Sequence, residues 1–416
     1  MGPMYFMNKS LKRLLELIYY DSKTTYMELI AIVVLFGFGI LWWWSYLYFP
    51  MWTPDGNTYV NGINLVRQGR SPYEHYVFPY PPTIAILGAW ITELLGNDAF
   101  RVGFRYANLL CGFLVIWGSL YITRWPWLIR LILACVGIFF LPILVSGIEN
   151  DNLSMLASCT AIMALLFWQR IPIISGIIFG FGLALKPIAL MGFFILAAHR
   201  SPNPHRKHLI TCCTAIIIAG ILLAIKPRWF ISGFFHPNVG AAVVHWTDGV
   251  LNASFFRIIS SFGLKISPFL YLTFFLVLSL IYVRRRPLNR IQLLCVACTA
   301  SLLSLPIVWQ HTLLIVLPVL FIVIAISLRR LCQAWRRSNG KNGPNIRLYS
   351  LSRLLNVIAG SITVAEANGY GVISNWHPWA NGLILMIPLA SLILLTGYAV
   401  KYEGTLSSDR VGLNGE

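Results

Sequence analysis

The chain has 416 residues, of which 57% are hydrophobic and 11% charged, and its formal net charge is +18. Soluble globular proteins carry roughly a quarter charged residues, so this composition excludes a soluble enzyme and indicates a polytopic membrane protein. The basic residues lie in short segments between apolar runs, where the positive-inside rule and anionic lipid headgroups account for them. No nucleic-acid-binding motif accompanies the charge, so we expect membrane lipids and not nucleic acid as partners.

The N-terminal segment and the first apolar run set the predicted orientation. Residues 1–26 are basic and suit a cytoplasmic interfacial helix. The run Met27–Tyr48 is long enough to cross a bilayer and ends in a belt of aromatic residues. The polar loop 49–82 therefore lies outside the cytoplasm, and we expect both termini inside.

Two later segments require a choice between crossing the membrane and remaining on one side. Thr83–Leu95 would extend about 20 Å as a helix, less than a bilayer core, so we predict a juxtamembrane helix in the outer interface. The run 172–198 contains Lys186 and Pro187; proline breaks helices, and a mid-span lysine is costly in lipid. We therefore predict two short helices that meet at Lys186. An unbroken 172–198 with a crossing Thr83–Leu95 also balances, but it places the acidic loop 147–152 in the cytoplasm.

The remaining apolar runs complete an all-α, polytopic bundle of about twelve spans. The predicted spans are Phe104–Ile122, Leu128–Val145, Leu153–Trp168, Leu209–Ile225, Pro268–Val283, Ile291–Leu305, Thr312–Leu328, Leu354–Glu366 and Asn381–Lys401. We expect a membrane domain over 27–328, a basic cytoplasmic linker over 329–353, and C-terminal helices with a tail over 354–416. Short loops and basic segments of this kind suit a multi-pass plasma-membrane protein.

Under this topology, unusual polar side chains converge on the outer face. They are Asp55, Tyr80, Glu149, Asn150, Lys186, Asn252, Arg257, Trp309 and His311. Two of them have ordinary explanations as single residues, because Asn252 begins an Asn-x-Ser glycosylation sequon and Arg257 suits a loop anchor at the interface. The joint pattern is more informative than any one member.

Three other members also have structural alternatives. Asp55 follows a proline and could cap a helix over Gly56–Gln68. Lys186 could form an ion pair with Glu149. A single histidine in a membrane bundle, such as His311, often makes only a structural hydrogen bond. These alternatives stay open at the level of the sequence.

The types of side chain in this group suit sugar transfer. A single carboxylate, Asp55, can act as a general base toward a hydroxyl group, and Lys186 can neutralise a phosphate as a compact point charge. Flat aromatic faces for sugar rings are available at Trp52, Tyr73, Tyr80 and Trp309. No second acidic pair or histidine cluster is present for a two-metal site, and no glycine-rich nucleotide loop is present. A lipid-linked donor fits these absences.

The cysteines also give no indication of a metal site. Most of the eight lie inside apolar runs, as expected of small buried hydrophobes. Cys295 and Cys298 have a Cys-x-x-Cys spacing, but no second pair and no nearby histidine complete a tetrahedral site. We therefore expect no bound metal.

Several short motifs occur in an order typical of one enzyme family. Asp55, Gly69-x-x-Pro72-Tyr73 and the stretch Phe78–Pro82 resemble the first outer loop of glycosyltransferase family 87, a family of the GT-C class of polytopic membrane enzymes. Its best-known members are polyprenyl-phosphate-mannose-dependent mannosyltransferases. Later matches in the same order are Gly147–Asn150, Leu185-Lys186-Pro187, Asn252–Ser254 followed by Arg257, and Leu305–His311. The chain departs from the family pattern at Ile148, Leu305 and Val308.

The resemblance implies an inverting transfer of a sugar, mannose in the best-known members, from a polyprenyl-phosphate donor to a hydroxyl of a glycolipid or cell-envelope glycan. It implies Asp55 as the base, with the donor phosphate bound by Lys186, His311 and Arg257. The residues implied for sugar or acceptor binding are Tyr73, Tyr80, Glu149, Asn150, Asn252 and Trp309. No cofactor or metal is expected, and the active site would face the extracytoplasmic side.

A polytopic transporter or lipid flippase is the main alternative. Many spans, broken helices and a lysine at membrane depth are also features of transporters. Against this, the two halves of the chain show no internal repeat, and the long outer loop after the first span has no evident transport role. A third alternative is an inactive, GT-C-like subunit of a glycan-assembly complex, although such a subunit would not need Asp55.

Overall fold

A computed structural model describes the central part of the chain. The described residues are 33, 37, 40–41, 43–74, 78–122, 151–199, 206–234, 254, 256, 259–260, 263–264, 266–286, 288–305, 310–323, 393 and 396–397. Within these ranges the regular structure is helical and contains no strand. The prediction of an all-α fold is therefore confirmed for the described residues.

Helix α1, Pro54–Arg67, carries Asp55 in its first turn. Thr53 is the N-cap residue, and its side chain accepts a hydrogen bond from the Gly56 N–H. Proline suits the first helical position because its fixed φ fits a helix and its missing N–H is not needed there. The alternative in which Asp55 caps a helix over Gly56–Gln68 is thus wrong, because Thr53 already performs this role. The Asp55 carboxylate is left for other partners.

Helix α2, Thr83–Leu95, and helix α3, Asn97–Ile122, are separated by a single residue. That residue is Gly96, with φ 86°, a left-handed conformation that favours glycine. Helix α2 has the predicted bounds, packs against α1 and α3, and leaves Leu94 82% exposed. Helix α3 begins seven residues before the predicted span Phe104–Ile122.

Helices α4 (Ser154–Phe167), α5 (Pro172–Leu185) and α6 (Leu190–Ala198) follow. The chain between α5 and α6 is broken at Lys186, whose backbone is extended. This confirms the predicted break, which arises because Pro187 has no N–H and its ring disfavours a helical residue before it. Most of α4 is buried, since α3, α5 and the helices that follow pack around it.

Helix α7, Lys207–Ala224, packs closely against α5 through small residues. A Cβ atom added at Gly176 of α5 would lie 2.6 Å from the carbonyl oxygen of Thr211, and one at Gly180 would meet the carbonyl of Ala215. Such close backbone approach is typical of helix pairs in membranes. Beyond α7 lie a short helix, Pro227–Trp229, and a π-helical turn, Phe230–Phe234.

The second half continues with helix α8, Pro268–Arg285, helix α9, Arg290–Ser304, and the 3₁₀-helix Gln310–Val316. Helix α9 begins with a capping box formed by Asn289 and Gln292, and the rest of it is largely buried against α6, α8 and the 3₁₀-helix. The predicted spans in this half agree with α7, α8 and α9 to within two residues at each end.

Three of the described helices are long and apolar enough to cross a membrane, namely α3 over Asn97–Tyr121, α7 and α8. Of the predicted first span, only scattered residues and the short helix Trp44–Leu47 are described. The predicted spans Leu128–Val145 and Leu354–Glu366, most of Asn381–Lys401, and the linker 329–353 lie outside the described residues. The number of about twelve spans stays a prediction.

Candidate active site

Three breaks in the helical structure bring Asp55, Asn152 and Lys186 together. Asp55 lies at the start of α1, Asn152 lies just before α4, and Lys186 lies between α5 and α6. The Asn152 Nδ2 donates to Asp55 Oδ2 over 2.5 Å, and Lys186 Nζ donates to Asn152 Oδ1 over 3.1 Å. One amide side chain therefore joins a carboxylate to an ammonium group.

The surrounding donors determine which way the Asn152 amide faces. Its Oδ1 accepts from Lys186 Nζ and also from the backbone N–H of Ser154 at 2.8 Å. An amide oxygen accepts and an amide nitrogen donates, so two donors on one side require the nitrogen to face Asp55. Asn152 is fully buried, whereas Asp55 and Lys186 are both partly exposed. Asp55 and Lys186 therefore retain some solvent exposure as residues, and the residue that joins them retains none.

Lys186 is held by contacts from three directions. Besides Asn152, its Nζ donates to Ser154 Oγ over 2.8 Å, and it lies 5.3 Å from the centre of the Tyr80 ring. The tyrosine face supplies a cation–π contact. Glu149, the predicted ion-pair partner, lies outside the described residues.

The environment raises the pKa of the Asp55 carboxyl above its ordinary value. Burial is the largest cause, because it disfavours the charged form, and the charge of Asp151 acts in the same direction. The hydrogen bond from Asn152 and the charge of Lys186 both lower the pKa, but they do not cancel the effect of burial. A carboxylate with a raised pKa is a stronger base than an ordinary aspartate.

Aromatic residues form one wall of the site. The rings of Tyr59 and Tyr80 lie 4.9 Å apart, and the Tyr59 hydroxyl accepts from the N–H of Leu153 at 3.2 Å. Tyr73 donates its hydroxyl to the carbonyl of Tyr80 over 2.7 Å. The ring of Tyr73 also lies directly against the backbone at Gly233, leaving no room there for a side chain. Tyr73 thus connects the loop after α1 to the π-helical turn after α7.

A buried ion pair adjoins the site at the N-cap residue of α1. Arg105 binds Asp151 through two parallel contacts, Nε to Oδ1 at 2.8 Å and Nη2 to Oδ2 at 3.0 Å, and both side chains are fully buried. Asp151 Oδ1 also accepts from the Tyr46 hydroxyl over 2.5 Å. Its Oδ2 accepts from both the backbone N–H and the hydroxyl of Thr53, each over 3.2 Å.

Arg105, Asp151 and Asn152 were not among the predicted site residues. A signal was present, because an arginine inside an apolar helix such as α3 is costly unless an acidic partner accompanies it. Among the acidic residues of the loop that follows, Glu149 had drawn attention through its resemblance to the family motif. The residue that pairs with Arg105 is Asp151, two positions later.

The predicted site residues differ in how far the structure describes them. Asp55, Lys186, Tyr73 and Tyr80 are described. Asn152 links Asp55 to Lys186, and direct contacts link Lys186 to Tyr80 and Tyr80 to Tyr73. The residues outside the described ranges are Glu149, Asn150, Asn252, Arg257 and Trp309. Of His311 only the backbone is described, in the 3₁₀-helix.

No group of three or more His, Cys, Asp or Glu side chains is close enough to hold a metal ion, as far as the described residues go. The Asp55 carboxylate accepts a hydrogen bond from the amide of Asn152, and Lys186 donates to the oxygen of that amide. That the reaction needs no metal stays a prediction.

Comparison with known proteins identifies the family. The model of "Glycosyltransferase family 87" matches residues 78–306, more than half of the chain. The matched range contains Asn152 and Lys186, while Asp55 precedes it. No curated protein sequence matches the chain.

Two solved structures are similar, both of ArnT from Cupriavidus metallidurans. The one bound to undecaprenyl phosphate has 16% identity and a TM-score of 0.44, covering 91% of this chain and 79% of ArnT. The apo structure has 14% identity and a TM-score of 0.43, covering 89% and 77%. Likeness at this level is too distant to indicate a function. The family match is sufficient by itself: the chain belongs to glycosyltransferase family 87, whose members are membrane glycosyltransferases of the GT-C class.

Proposed function

We propose that this membrane glycosyltransferase transfers a sugar, mannose in the first instance, from a polyprenyl-phosphate donor to a hydroxyl of a glycolipid or cell-envelope glycan. Family membership supports the reaction class. The observation that carries the proposal is the linked set Asp55–Asn152–Lys186, in which a base and a cation are held beside each other by one amide. A base for the acceptor and a cation for the leaving phosphate are what this reaction requires.

The reaction then needs one base and no acid. Asp55 removes the proton of the acceptor hydroxyl, and the acceptor oxygen attacks the anomeric carbon on the face opposite the phosphate. The bond from the anomeric carbon to the phosphate oxygen breaks, and its electron pair stays on the polyprenyl phosphate. The configuration at the anomeric carbon is inverted. Because the phosphate leaves as an anion, no side chain has to protonate it.

The contacts of Asp55 suggest how it meets the acceptor. Asn152 donates to Oδ2, and we assign Oδ1 as the oxygen that receives the proton of the hydroxyl. The amide also fixes the carboxylate in one orientation before the acceptor arrives. Preorganisation of this kind removes part of the entropic barrier to a reaction between two groups.

Lys186 is the proposed phosphate-neutralising group, with His311 and Arg257 as its predicted helpers. Its ammonium group donates to Asn152 and Ser154, and its charge already acts on the Asp55 carboxylate. Tyr73, Tyr80 and Trp309 are proposed to contact the sugar or acceptor through their aromatic faces, and Glu149, Asn150 and Asn252 through polar groups. We place the site on the extracytoplasmic side of the plasma membrane, with both termini in the cytoplasm and no metal in the reaction.

The proposal is tested with membranes from cells that express the chain and from matched cells that do not. Both are supplied with radiolabelled polyprenyl-phosphate mannose, and the labelled lipids and glycans are separated. A labelled product that depends on the chain supports the proposal. If no product forms, a polyprenyl-phosphate arabinose donor is tested next. Chain-dependent movement of the donor across a proteoliposome membrane, with no product from either donor, would overturn the proposal in favour of a flippase.

A further inference from the structure

We propose that Arg105 and Asp151 are positioning residues, which fix the start of α1 relative to Asn152 so that the Asp55 carboxylate is held in one place. This inference rests on the proposed function, since it assigns Asp55 as the base. Neither Arg105 nor Asp151 would touch the substrate. Both would act through the residues that present the carboxylate.

Two consecutive side chains hold the start of α1 from different points. Asp151 binds the backbone N–H and the hydroxyl of Thr53, the N-cap residue of α1. Asn152 binds the carboxylate of Asp55, two residues further along. Asp151 has φ 50°, a left-handed conformation that is uncommon outside glycine, asparagine and aspartate. This turn in the chain allows adjacent residues to reach two separate points on α1.

Thr53 transmits the position of Asp151 to the helix. Its hydroxyl donates to Asp151 Oδ2 and accepts from the N–H of Gly56 at the start of α1. A Cβ atom added at Gly56 would lie 3.1 Å from the same Oδ2 and would meet the ring of Trp52. The start of α1 therefore packs so closely against Asp151 and Trp52 that little room is left for a side chain at Gly56.

Arg105 holds the segment that leads into α1. Its guanidinium has five N–H donors, and each of them has an acceptor. Two go to Asp151, and the others go to the carbonyl oxygens of Tyr46 at 2.9 Å, Phe49 at 2.7 Å and Met51 at 2.7 Å. A single side chain thus fixes the chain from Tyr46, in the short helix Trp44–Leu47, to Met51, two residues before the N-cap Thr53.

The burial of this pair argues for a positioning role. Removing two charges from water costs free energy that their attraction often fails to recover, so a buried ion pair is weak evidence for stability alone. Here the pair also has complete hydrogen bonding, and both of its ends contact segments that carry or precede Asp55. An arrangement of this type specifies one geometry in place of several similar ones.

The charges at the site have a second consequence for Asp55. The titratable groups that face it are Lys186, Asp151, Tyr59 and Tyr80. Its pKa is set by burial, by the hydrogen bond from Asn152, and by the charges of Lys186 and Asp151. The charge of Asp151 raises the pKa of Asp55, and Arg105 is the cation that offsets this charge. Replacing Asp151 by an uncharged residue of the same shape therefore lowers the pKa of Asp55, even while it loosens the position of the carboxylate.

The test uses the purified full chain with Thr53→Val, Thr53→Ser and Asp151→Asn. Asp98→Asn serves as a matched control, because Asp98 is an exposed carboxylate whose ion pair is with Arg101 and not with Arg105 or Thr53. The two readouts are the kinetics of sugar transfer as a function of pH, and hydrogen exchange of the backbone amides in residues 53–60. Thr53→Val removes the hydroxyl and changes no charge, whereas Thr53→Ser retains it.

A positioning role predicts that Thr53→Val and Asp151→Asn lower kcat by about tenfold or more, with little change in KM for the donor. Thr53→Ser and Asp98→Asn retain the kcat of the wild type. In Asp151→Asn the acid limb of the pH profile moves to lower pH. Hydrogen exchange of residues 53–60 becomes faster in Thr53→Val, while exchange in α9 is unchanged. If Asp151→Asn fails to fold, the two Thr53 variants decide the matter.

Unchanged kcat in Thr53→Val, or equal losses in Thr53→Val and Thr53→Ser, would overturn the positioning role. If the wild type transfers no sugar, the proposed function fails. Hydrogen exchange then tests the contacts between Asp151 and Thr53 independently of activity. In that case, unchanged protection of residues 53–60 in Thr53→Val also rejects Asp151 as the group that holds the start of α1.

Discussion

Asn152 donates its amide N–H to the Asp55 carboxylate over 2.5 Å, although the two residues are 97 positions apart in the chain. The oxygen of the same amide accepts from Lys186. The carboxylate of Asp55 and the ammonium group of Lys186 are therefore coupled through a side chain that cannot itself ionise. A change in Asn152 should alter how Asp55 titrates without altering the charge of the site.

The wild-type enzyme should lose activity in acid at a pH above that expected for an ordinary aspartate. Burial raises the pKa of Asp55, and a base works only when it is deprotonated. As the pH falls through this raised pKa, kcat/KM should fall with it. The profile of kcat/KM against pH, which reports the pKa values of the free enzyme, gives the position of this acid limb.

Asn152→Leu should move that acid limb to higher pH. The hydrogen bond from Asn152 lowers the pKa of Asp55, so its loss raises the pKa further. Near neutral pH we expect kcat/KM to fall by about tenfold or more, because less base is deprotonated and the carboxylate is no longer oriented. An acid limb at the wild-type position would show that the amide does not influence the base.

Lys186→Met should lower kcat by about two orders of magnitude or more, the size expected when a group that stabilises developing charge is removed. It should also move the acid limb upward, because the charge of Lys186 lowers the pKa of Asp55. Lys186→Arg should restore little, since a planar guanidinium does not replace a compact ammonium group. The kinetics are measured at saturating donor across the pH range.

Lys207→Met is the control for that experiment. Lys207 donates to the carbonyl of Gln169, near the C-terminal end of α4 and far along the helix from Ser154. Its replacement removes a lysine of the same type outside the site, and activity should stay at the wild-type level. A similar loss in both variants would mean that the effect at Lys186 is not specific to the site.

The close packing of α5 on α7 can be tested through two glycines. Gly176→Ala would place a methyl group 2.6 Å from the carbonyl oxygen of Thr211, and overpacking of this kind typically costs about 1–3 kcal/mol. Gly220→Ala, on α7, has no atom within 4 Å of the added Cβ and should be neutral or slightly stabilising. Thermal unfolding in detergent compares the two, and equal midpoints would contradict the packing.

Local chemistry explains which parts of the fold could be predicted from the sequence. The break at Lys186 was predictable because Pro187 cannot continue a hydrogen-bonded helix. The bounds of Thr83–Leu95 were predictable because Pro82 and Gly96 flank an apolar run. An aspartate after proline also suits a cap, but at the start of α1 the pair Thr53-Pro54 begins the helix, with Thr53 as the cap and Pro54 at the first helical position.

The residues that support Asp55 could not be predicted from local sequence patterns. Arg105 and Asp151 are 46 positions apart, and only the packing of α3 against the start of α4 brings them together. Asn152 adjoins a motif that drew attention to Glu149 and Asn150 instead. Asp55 and Lys186 were identifiable individually, as charges with no evident structural need, but the amide that joins them was not.

The central claim is that Asp55 is the base in sugar transfer, and Asp55→Asn tests it most directly. Membranes with equal amounts of wild type, Asp55→Asn and the control Asp98→Asn receive the same labelled polyprenyl-phosphate mannose, and the initial rate of product formation is measured. We predict product from wild type and Asp98→Asn, and a loss of at least about a hundredfold in Asp55→Asn. Product from Asp55→Asn at the wild-type rate would contradict the account, because a carboxamide cannot accept the proton.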